Sequence, residues 1–411
     1  NMRLRILCLL FVFALLLTAP AHALGRQELR DAWQEANILK SDASPYREVP
    51  DVNAFSMGSL TEEAQQHALS CLNFIRGIAG LEPVTLDPLY TLRAQNGALL
   101  LAANDYLDHN APRPEGMPAD QYESAHMGTS LGNIAKFNWM KPDILVDGVS
   151  YFARDDGEAN LAALGHRRWL LNPRMEKTGF GLANAKTGMS YVTMYAVDMG
   201  NADAQWDYVA WPCGGVFPVE LMRSTLPWSV SLNGEDYIPG RIRIDLTEEV
   251  SGAEFTFEPN RENEDGYCAL STEAYGAGDC LIFRPDIAEK GIQEYVQNQV
   301  WNVRITGLTG PDGQETEISY RCEMVSLNPQ DVANIELSQL KAELAPGELL
   351  DLDVDVIPAY ADDLSVIWGS SNAGVASVNA DGVVRALAPG QCTITAMSAN
   401  GRRDMCAVTV K

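Results

Sequence analysis

The amino-acid sequence predicts a multidomain protein in which an α+β domain is followed by two all-β domains. Its 411 residues correspond to two or three domains at a prior of about 150 residues each. Apolar residues recur at helical spacing before Gln205, whereas short alternating runs separated by Gly, Pro and Asn follow it. The formal net charge of −25 argues against nucleic acid and anionic membrane surfaces as partners.

The first 23 residues have the three parts of a secretory signal peptide. A basic start at Met2–Arg5 is followed by an apolar run of 13 residues at Ile6–Thr18 and by the small-x-small site Ala21-His22-Ala23. A bilayer span needs about 20 apolar residues, so this segment is too short to remain as an anchor. We expect cleavage after residue 23, export, no transmembrane segment in the mature chain, and either release or retention at the cell surface.

Residues 24–58 are predicted to form a short helix and a linker. Leu29, Trp33 and Ala36 recur at helical spacing, and the residues after them are irregular and contain proline. Helical and strand patterns then alternate as far as Gly200. We therefore expect an α+β domain over residues 59–200.

A capping box and an N-cap mark the first two helices of this domain. The box occupies residues 59–62, and Asp87-Pro88 begins the second helix with a capping carboxylate and a first-turn proline. The apolar stripe of the second helix continues to Tyr106. His109 is the next position on that face, so the pattern predicts that it points inward.

A second histidine lies in the third predicted helix, residues 158–171. His166 shares a face of this helix with Trp169, so both His109 and His166 are expected to line one cleft. His67 is instead expected on a solvated helix face. Two strands are predicted next, at residues 179–182 and 190–197.

Alternating runs predict the two all-β domains. Trp228–Leu232, Arg241–Leu246 and Val300–Ile305 are of this type, and turn residues separate them. Strands at this spacing are typical of a β-sandwich or barrel. We expect a β-rich domain over residues 205–327 and a further all-strand domain over residues 331–411.

Five segments of the first domain occur in an order that is typical of one family. They are Leu72-Asn73-Phe74-Ile75-Arg76, Leu86-Asp87-Pro88, Gly132-Asn133-Ile134-Ala135, Gly165-His166-Arg167-Arg168-Trp169 and Gly179-Phe180-Gly181. Together they resemble the CAP superfamily of cysteine-rich secretory proteins, antigen 5 and pathogenesis-related proteins, in its bacterial form with an SCP domain. The resemblance implies an α-β-α sandwich with a central cleft.

In that family two histidines and two glutamates can form a metal-binding tetrad. The resemblance places His109 and His166 at the two histidine positions. Gly132 stands where the family has its first glutamate. The second glutamate has no clear match, although the carboxylates of residues 155–158 are near it in sequence.

The residues themselves leave two interpretations of this cleft open. Zinc normally takes three or four protein ligands, and His126 or Glu158 would have to supply a third beside His109 and His166. In the simpler interpretation, which we favour, the histidines are hydrogen-bonded polar residues that hold no tightly bound metal. The candidate ligand-cleft residues are therefore His109, His126, Glu158 and His166, and the candidate cofactor is a divalent cation such as zinc at His109 and His166.

Four segments of the last block form another family pattern. They are Trp368-Gly369-Ser370-Ser371-Asn372, Val375-Ala376-Ser377-Val378, Asp381-Gly382-Val383-Val384 and Thr393-Ile394-Thr395-Ala396. They resemble group 2 bacterial immunoglobulin-like domains, which implies an Ig-like β-sandwich that extends or attaches a surface protein. The middle block resembles a β-rich companion of bacterial CAP domains.

Removal of the leader leaves seven cysteines, an odd number for an oxidising compartment. Cys392 and Cys406 flank a predicted hairpin turn and are expected to pair, which closes a loop of about 15 residues and contributes roughly 3 kcal/mol. Cys71 is expected to stay unpaired on the buried stripe of the first helix. The other expected pairs are Cys268 with Cys280 and Cys213 with Cys322.

The motifs of common hydrolases are missing from the sequence. It contains no Gly-x-Ser-x-Gly, His-Glu-x-x-His, Walker or Cys-x-x-Cys pattern, which favours a binding protein over an enzyme. Our leading hypothesis is a secreted or surface-associated bacterial protein whose CAP-like domain binds an extracellular lipid, glycan or protein, carried with β-sandwich spacer or attachment domains. The alternatives are an extracellular hydrolase that uses the His109 and His166 cleft, with or without a metal, and a purely structural surface protein.

Overall fold

The computed structural model describes residues 24–310 and 313–411, so the predicted signal peptide lies outside the described residues. The chain forms two compact units. The first contains the described residues up to Tyr295 together with Val300–Glu323, and the second contains Val296–Gln299 together with Met324–Lys411. Residues 59–200 and most of residues 205–323, which the sequence suggests are separate domains, thus belong to one compact unit. None of the described helices has the length and apolarity of a membrane span.

Two helices of the first unit begin at side-chain caps. The predicted cap at Asp87 is confirmed, whereas the predicted box at residues 59–62 is wrong, because Thr61 is the cap and Ser59 lies in a strand. The Thr61 hydroxyl accepts from the Ala64 amide at 3.2 Å, and the Asp87 carboxylate accepts from the amides of the following turn. The α-helices are α1 (Arg26–Ala36), α2 (Glu62–Ile78), α3 (Pro88–Asn104), α4 (Ala119–Ser130), α5 (Ile144–Arg154) and α6 (Gly165–Leu170).

Two of the sequence-based helix assignments need correction. The predicted helix at residues 158–171 is a 3-10 turn at Glu158–Asn160 followed by the short α6. Helix α3 ends at Asn104 because Asp105 adopts a left-handed conformation with φ of 50°, so His109 lies in the loop that follows and not on the helix. His67 is also buried, at 4% exposed, and its Nε2 lies 3.2 Å from Asn37 Oδ1.

The first domain is built around a three-stranded antiparallel sheet in the order β4-β7-β6. The Thr193 hydroxyl donates to Ala94 O of α3 at 2.6 Å. Val192 packs against Gly148 of α5, where an added Cβ would lie 2.6 Å from Val192 Cγ1. Because successive strand residues face opposite sides, α3 and α5 cover opposite faces of the sheet, and the expected α-β-α sandwich is confirmed. The strands are β1 (Tyr46–Glu48), β2 (Ser59–Leu60), β3 (Thr85–Leu86), β4 (Gly132–Phe137), β5 (Lys177–Thr178), β6 (Phe180–Asn184) and β7 (Ser190–Tyr195).

The β-rich region folds as two sheets, in the orders β13-β14-β10-β8 and β12-β11-β15-β16-β9. Trp228 lies between them, with its ring centroid 5.9 Å from that of Phe283 and 6.0 Å from that of Trp301. This aromatic contact forms the interior of a β-sandwich. The strands are β8 (Tyr208–Trp211), β9 (Gly215–Pro218), β10 (Trp228–Leu232), β11 (Arg243–Glu248), β12 (Glu254–Phe257), β13 (Gly266–Ser271), β14 (Cys280–Pro285), β15 (Val300–Thr309) and β16 (Glu315–Val325).

Helix α6 packs on the outer face of the sheet β13-β14-β10-β8, and we call this contact the seam. Arg167 is 1% exposed, and its Nη1 donates to Pro227 O at 2.7 Å and to Ser229 Oγ at 3.2 Å. Its Nε donates to Ala153 O at 2.7 Å. One buried guanidinium therefore joins the α+β domain to the β-sandwich.

Arg168 makes a second set of contacts across the seam. Its Nη1 donates to Ser271 Oγ at 3.1 Å, and its Nη2 donates to Glu273 O at 2.7 Å and to Gly278 O at 2.9 Å. Leu164, Cys280 and Ile282 form a small apolar cluster beside it. The β-sandwich is thus an integral part of the first unit, and α6 packs on the outer face of one of its sheets.

The second unit is all-β, as the sequence predicts. Its sheets have the orders β17-β20, β18-β25-β24-β21 and β19-β23-β22, and they enclose an apolar core that includes Val384, Ile394 and Val408. The strands are β17 (Asn334–Leu337), β18 (Lys341–Leu344), β19 (Leu349–Asp351), β20 (Val354–Ile357), β21 (Val366–Ser370), β22 (Ala376–Val378), β23 (Val383–Ala386), β24 (Gly390–Ser398) and β25 (Arg403–Val410).

The seven described cysteines are free thiols, so the three expected disulfides are not present. Cys268 lies opposite Phe283, and Cys280 lies opposite Ser271. The two thiols are separated by an odd number of register positions and point to opposite faces of the sheet, Cys268 into the sandwich and Cys280 into the seam. No disulfide can join them in this register.

The cysteines of the other two expected pairs are also free thiols. Cys392 lies opposite Val408, and Cys406 lies opposite Ile394, so the two cysteines are diagonal neighbours. Diagonal pairs are about 7–8 Å apart, beyond the usual Cα separation of a disulfide. Cys213 faces Ile78 O at 2.9 Å instead of pairing with Cys322, and burial raises the pKa of the Cys213 thiol to about 12.

The seam predicts a specific loss of stability. Arg167→Ala removes a charged donor from several buried carbonyls, so we expect the free energy of unfolding of the first unit to fall by about 3–5 kcal/mol. In differential scanning calorimetry of the full chain, the transition of the first unit should fall by about 5 °C or more while that of the second unit stays in place.

Arg304→Ala is the matched control because the Arg304 side chain is 60% exposed and pairs with Glu317 at the surface. An exposed pair contributes about 1 kcal/mol or less, so this variant should shift the transition by only about 1 °C. Equal shifts for the two arginine variants would contradict the role assigned to Arg167.

Candidate functional site

Two of the predicted cleft histidines are joined through Thr129 at the end of α4. His109 Nδ1 lies 2.7 Å from Thr129 O, and the Thr129 hydroxyl donates to His109 O at 2.9 Å. The same hydroxyl lies 3.2 Å from His126 O. His109 is exposed and His126 is half-buried. The contact with His126 is to its backbone carbonyl, and the centroid of its ring lies 5.8 Å from that of Tyr122.

The third histidine, His166, is held by a buried carboxylate. Its Nδ1 lies 2.9 Å from Asp155 Oδ1, and the Asp155 side chain is fully buried while that of His166 is 15% exposed. The carboxylate also accepts from Asn160 Nδ2 at 2.9 Å and from the Arg167 amide at 3.2 Å. Because a carboxylate only accepts, it selects the tautomer of His166 with a proton on Nδ1 and a lone pair on Nε2.

The segment at residues 126–133 connects these two groups of contacts. Asn133 follows Gly132 at the start of β4, and its side-chain amide donates to His166 O at 2.9 Å. His109 and His126 meet this segment at Thr129. We call the surface formed by His109, His126 and His166 the candidate cleft.

Glu158 is not part of the candidate cleft. Its side chain is 78% exposed, and Oε1 accepts from Arg284 Nη1 of the β-sandwich at 2.7 Å. The prediction grouped Glu158 with the histidines, but in the structure its carboxylate points toward the seam. The 3-10 turn at Glu158–Asn160 gives it this direction.

The residues of the candidate cleft do not fit a bound divalent cation. A Cβ at Gly132 would lie 2.3 Å from Gly128 O and 3.0 Å from Met194 O, so no carboxylate can occupy that position in this packing. Asp155, the nearest carboxylate to His166, is already bonded to three donors. In the part of the chain that the structure describes, no group of three or more His, Cys, Asp or Glu residues is arranged to hold a metal. Zinc at His109 and His166 stays a prediction that these contacts do not support.

Comparison with protein families identifies two parts of the chain. Residues 59–196 match the cysteine-rich secretory protein family, CAP, and residues 331–408 match the bacterial Ig-like domain, group 2. The chain contains a CAP domain and a bacterial Ig-like domain. Both resemblances are confirmed, with a β-rich region between the two domains. CAP and group 2 Ig-like domains are typical of extracellular bacterial proteins.

Similarity to individual proteins is partial. The chain is 39% identical to the kappa-carrageenase of Pseudoalteromonas carrageenovora over 80 residues, which are 19% of this chain and 20% of that protein. The intimin–Tir90 complex matches 18% of this chain and 45% of its own chain at 17% identity, with a TM-score of 0.16. Domains 4 and 5 of the S-layer protein SbsC match 27% of this chain and 64% of their own at 19% identity, with a TM-score of 0.18.

The packing at Gly132 predicts that substitution by alanine destabilises the protein there but not at Gly77. Gly132→Ala places a methyl group against two backbone carbonyls, so we expect the free energy of unfolding of the first unit to fall by at least about 2 kcal/mol. Gly77→Ala is the matched control, since a Cβ there meets nothing within 4 Å and Gly77 lies within α2. It should leave stability unchanged or raise it by up to about 1 kcal/mol. Urea denaturation measures both, and equal stabilities would contradict the close packing.

The contact with Asp155 predicts one tautomer of His166. In two-dimensional long-range ¹H–¹⁵N spectra of the full chain, the neutral form of the His166 ring should have a protonated Nδ1 and an unprotonated Nε2. In the Asp155→Asn variant an amide can donate as well as accept, so this preference should weaken or reverse. Glu158→Gln, which does not touch the ring, should leave the spectrum unchanged. A neutral ring protonated on Nε2 in the unaltered protein would contradict the assignment.

Proposed function

We propose that this protein is exported and that its CAP domain binds an extracellular lipid, glycan or protein at the candidate cleft. The observation that carries the proposal is that the His109 ring is hydrogen-bonded to Thr129 O and the His166 ring to Asp155. The segment that holds Thr129 also contacts the His166 backbone through Asn133, and both histidine side chains remain at least partly exposed. A rigid polar surface of this kind suits recognition.

The domains after the CAP domain are proposed to carry or attach it. The β-sandwich is fixed to α6 through Arg167 and Arg168, so it supports the CAP domain directly. The Ig-like domain belongs to the second compact unit and is the better candidate for attachment to a surface. The secretory pattern in residues 1–23 supports export.

A hydrolase is the second candidate, and the pair of His166 and Asp155 favours it. A buried carboxylate on Nδ1 that leaves Nε2 unprotonated is the arrangement of a general base. Among the described residues, however, no serine, threonine or cysteine side chain hydrogen-bonds to His166 Nε2. The site therefore offers a base without an activated nucleophile, which is why we rank binding first.

Co-sedimentation of the purified full chain tests the proposal with three probes, namely phosphatidylcholine vesicles, peptidoglycan sacculi and intact bacterial cells before and after protease treatment. We expect binding to at least one probe. The triple variant His109→Ala, His126→Ala and His166→Ala should bind at least about tenfold more weakly, a loss of about 1.4 kcal/mol. Thr187→Ala, an exposed change between β6 and β7, is the control and should bind like the unaltered protein.

The outcomes separate the candidates. Binding that survives the triple variant, or no binding to any of the three probes, contradicts a ligand at the candidate cleft. Release of soluble products from sacculi or vesicles, abolished by His166→Ala alone, would favour the hydrolase and overturn the proposal.

A further inference from the structure

The first unit contains a concave site at the edge of the seam, apart from the candidate cleft. This cavity has a volume of about 890 Å³ and is lined by Glu158 of the CAP domain and by residues 224–225, 260–263, 266–269 and 284–286 of the β-sandwich. A volume of this order holds a small organic ligand, and domain interfaces are common places for such sites. None of the three histidines of the candidate cleft lines it.

Strand register places an aromatic ring beside a guanidinium in this cavity. Tyr267 on β13 lies directly opposite Arg284 on β14, so their side chains are neighbours on one face of the sheet. The alternate residues, Cys268 and Phe283, are buried on the other face. Tyr267 packs against the apolar cluster of the seam, which also includes Leu161, and this contact fixes the position of its ring.

The CAP domain contributes a carboxylate to the same place. Glu158 Oε1 accepts from Arg284 Nη1 at 2.7 Å, and Thr225 O lies 3.4 Å from the same nitrogen. The guanidinium retains other N–H groups, and the carboxylate retains acceptor capacity. The site thus combines a donor from the sandwich with an acceptor from the CAP domain, and it exists because the two are joined in one unit.

The charge of the lining disfavours an anionic ligand. Three carboxylates and two guanidinium groups line the cavity, and both guanidinium groups are paired, Arg284 with Glu158 and Arg261 with Glu258. No surplus positive charge is left to neutralise a phosphate, a sulfate or a uronate. The net charge of −25 on the whole chain acts in the same direction.

We propose that this cavity binds a neutral oligosaccharide. A pyranose ring has hydroxyl groups that both donate and accept, and C–H faces that pack against an aromatic ring. Arg284 and Glu158 supply the matching donor and acceptor, and Tyr267 supplies the aromatic surface. The proposal concerns a site separate from the candidate cleft.

Isothermal titration calorimetry of the full chain tests this with three neutral trisaccharides, namely chitotriose, cellotriose and maltotriose. We expect at least one to bind with a millimolar or lower Kd. Glu158→Gln and Arg284→Gln should each weaken that binding at least about tenfold. Glu158 is mostly exposed, so its variant preserves the fold even if the Arg284 variant does not.

Glu317→Gln and Arg304→Gln are the matched controls. They interrupt the same kind of ion pair, at 2.8 Å, on the exposed surface of the same sandwich. Both controls should bind the trisaccharide with unchanged Kd. The triple histidine variant should also bind it unchanged, which distinguishes this site from the candidate cleft.

Four results would each overturn the proposal. These are no binding of any of the three neutral trisaccharides, tighter binding of trigalacturonate than of every neutral probe, unchanged binding in the Glu158 variant, and loss of binding only in the triple histidine variant. The last result would move the saccharide to the candidate cleft and so support the proposed function while contradicting this site.

Discussion

The first unit depends on two guanidinium groups buried at the seam, which form no ion pair with a carboxylate among residues 24–310 and 313–411. Arg167 and Arg168 donate to backbone carbonyls and serine hydroxyls, and desolvation lowers the pKa of Arg167 to about 10. Burial of a charge is costly unless its hydrogen bonds are satisfied. The contact is therefore favourable only when α6 is placed so that both guanidinium groups reach their acceptors on the sheet. It thus specifies one relative position of the CAP domain and the β-sandwich.

The same short helix also controls the geometry of the candidate cleft. The Arg167 amide donates to Asp155, whereas its side chain reaches Ala153 and the sandwich. His166 is the preceding residue and hydrogen-bonds to the other oxygen of Asp155. The orientation of the His166 ring and the docking of the sandwich are therefore set by adjacent residues of one helical turn. A ligand that reorients the His166 ring is therefore directly connected, through Asp155 and Arg167, to the docking of the β-sandwich.

Much of the fold follows from local sequence signals, and the rest depends on tertiary packing. The cap at Asp87, strand alternation and family motifs predict the element types and the two recognised domains. Helix α4 escapes prediction because its sequence is mostly polar and buries only Ala125, Gly128 and Thr129. The contact between α6 and the β-sandwich could not be predicted, because arginine is usually exposed and a sequence does not show which acceptors would allow Arg167 and Arg168 to be buried. The hydrogen bond from His166 to Asp155 depends on where α5 ends, and that helix is not predicted from the sequence.

Gly132 also couples two elements of the CAP domain. Its backbone packs so closely on Gly128 that α4 and β4 have no space between them for any larger side chain at this position. A larger residue could enter there only if the helix moved away from the strand, and that movement would displace Thr129, to which the His109 ring is hydrogen-bonded. The close approach of two glycine backbones therefore ties the position of His109 to the spacing between α4 and β4.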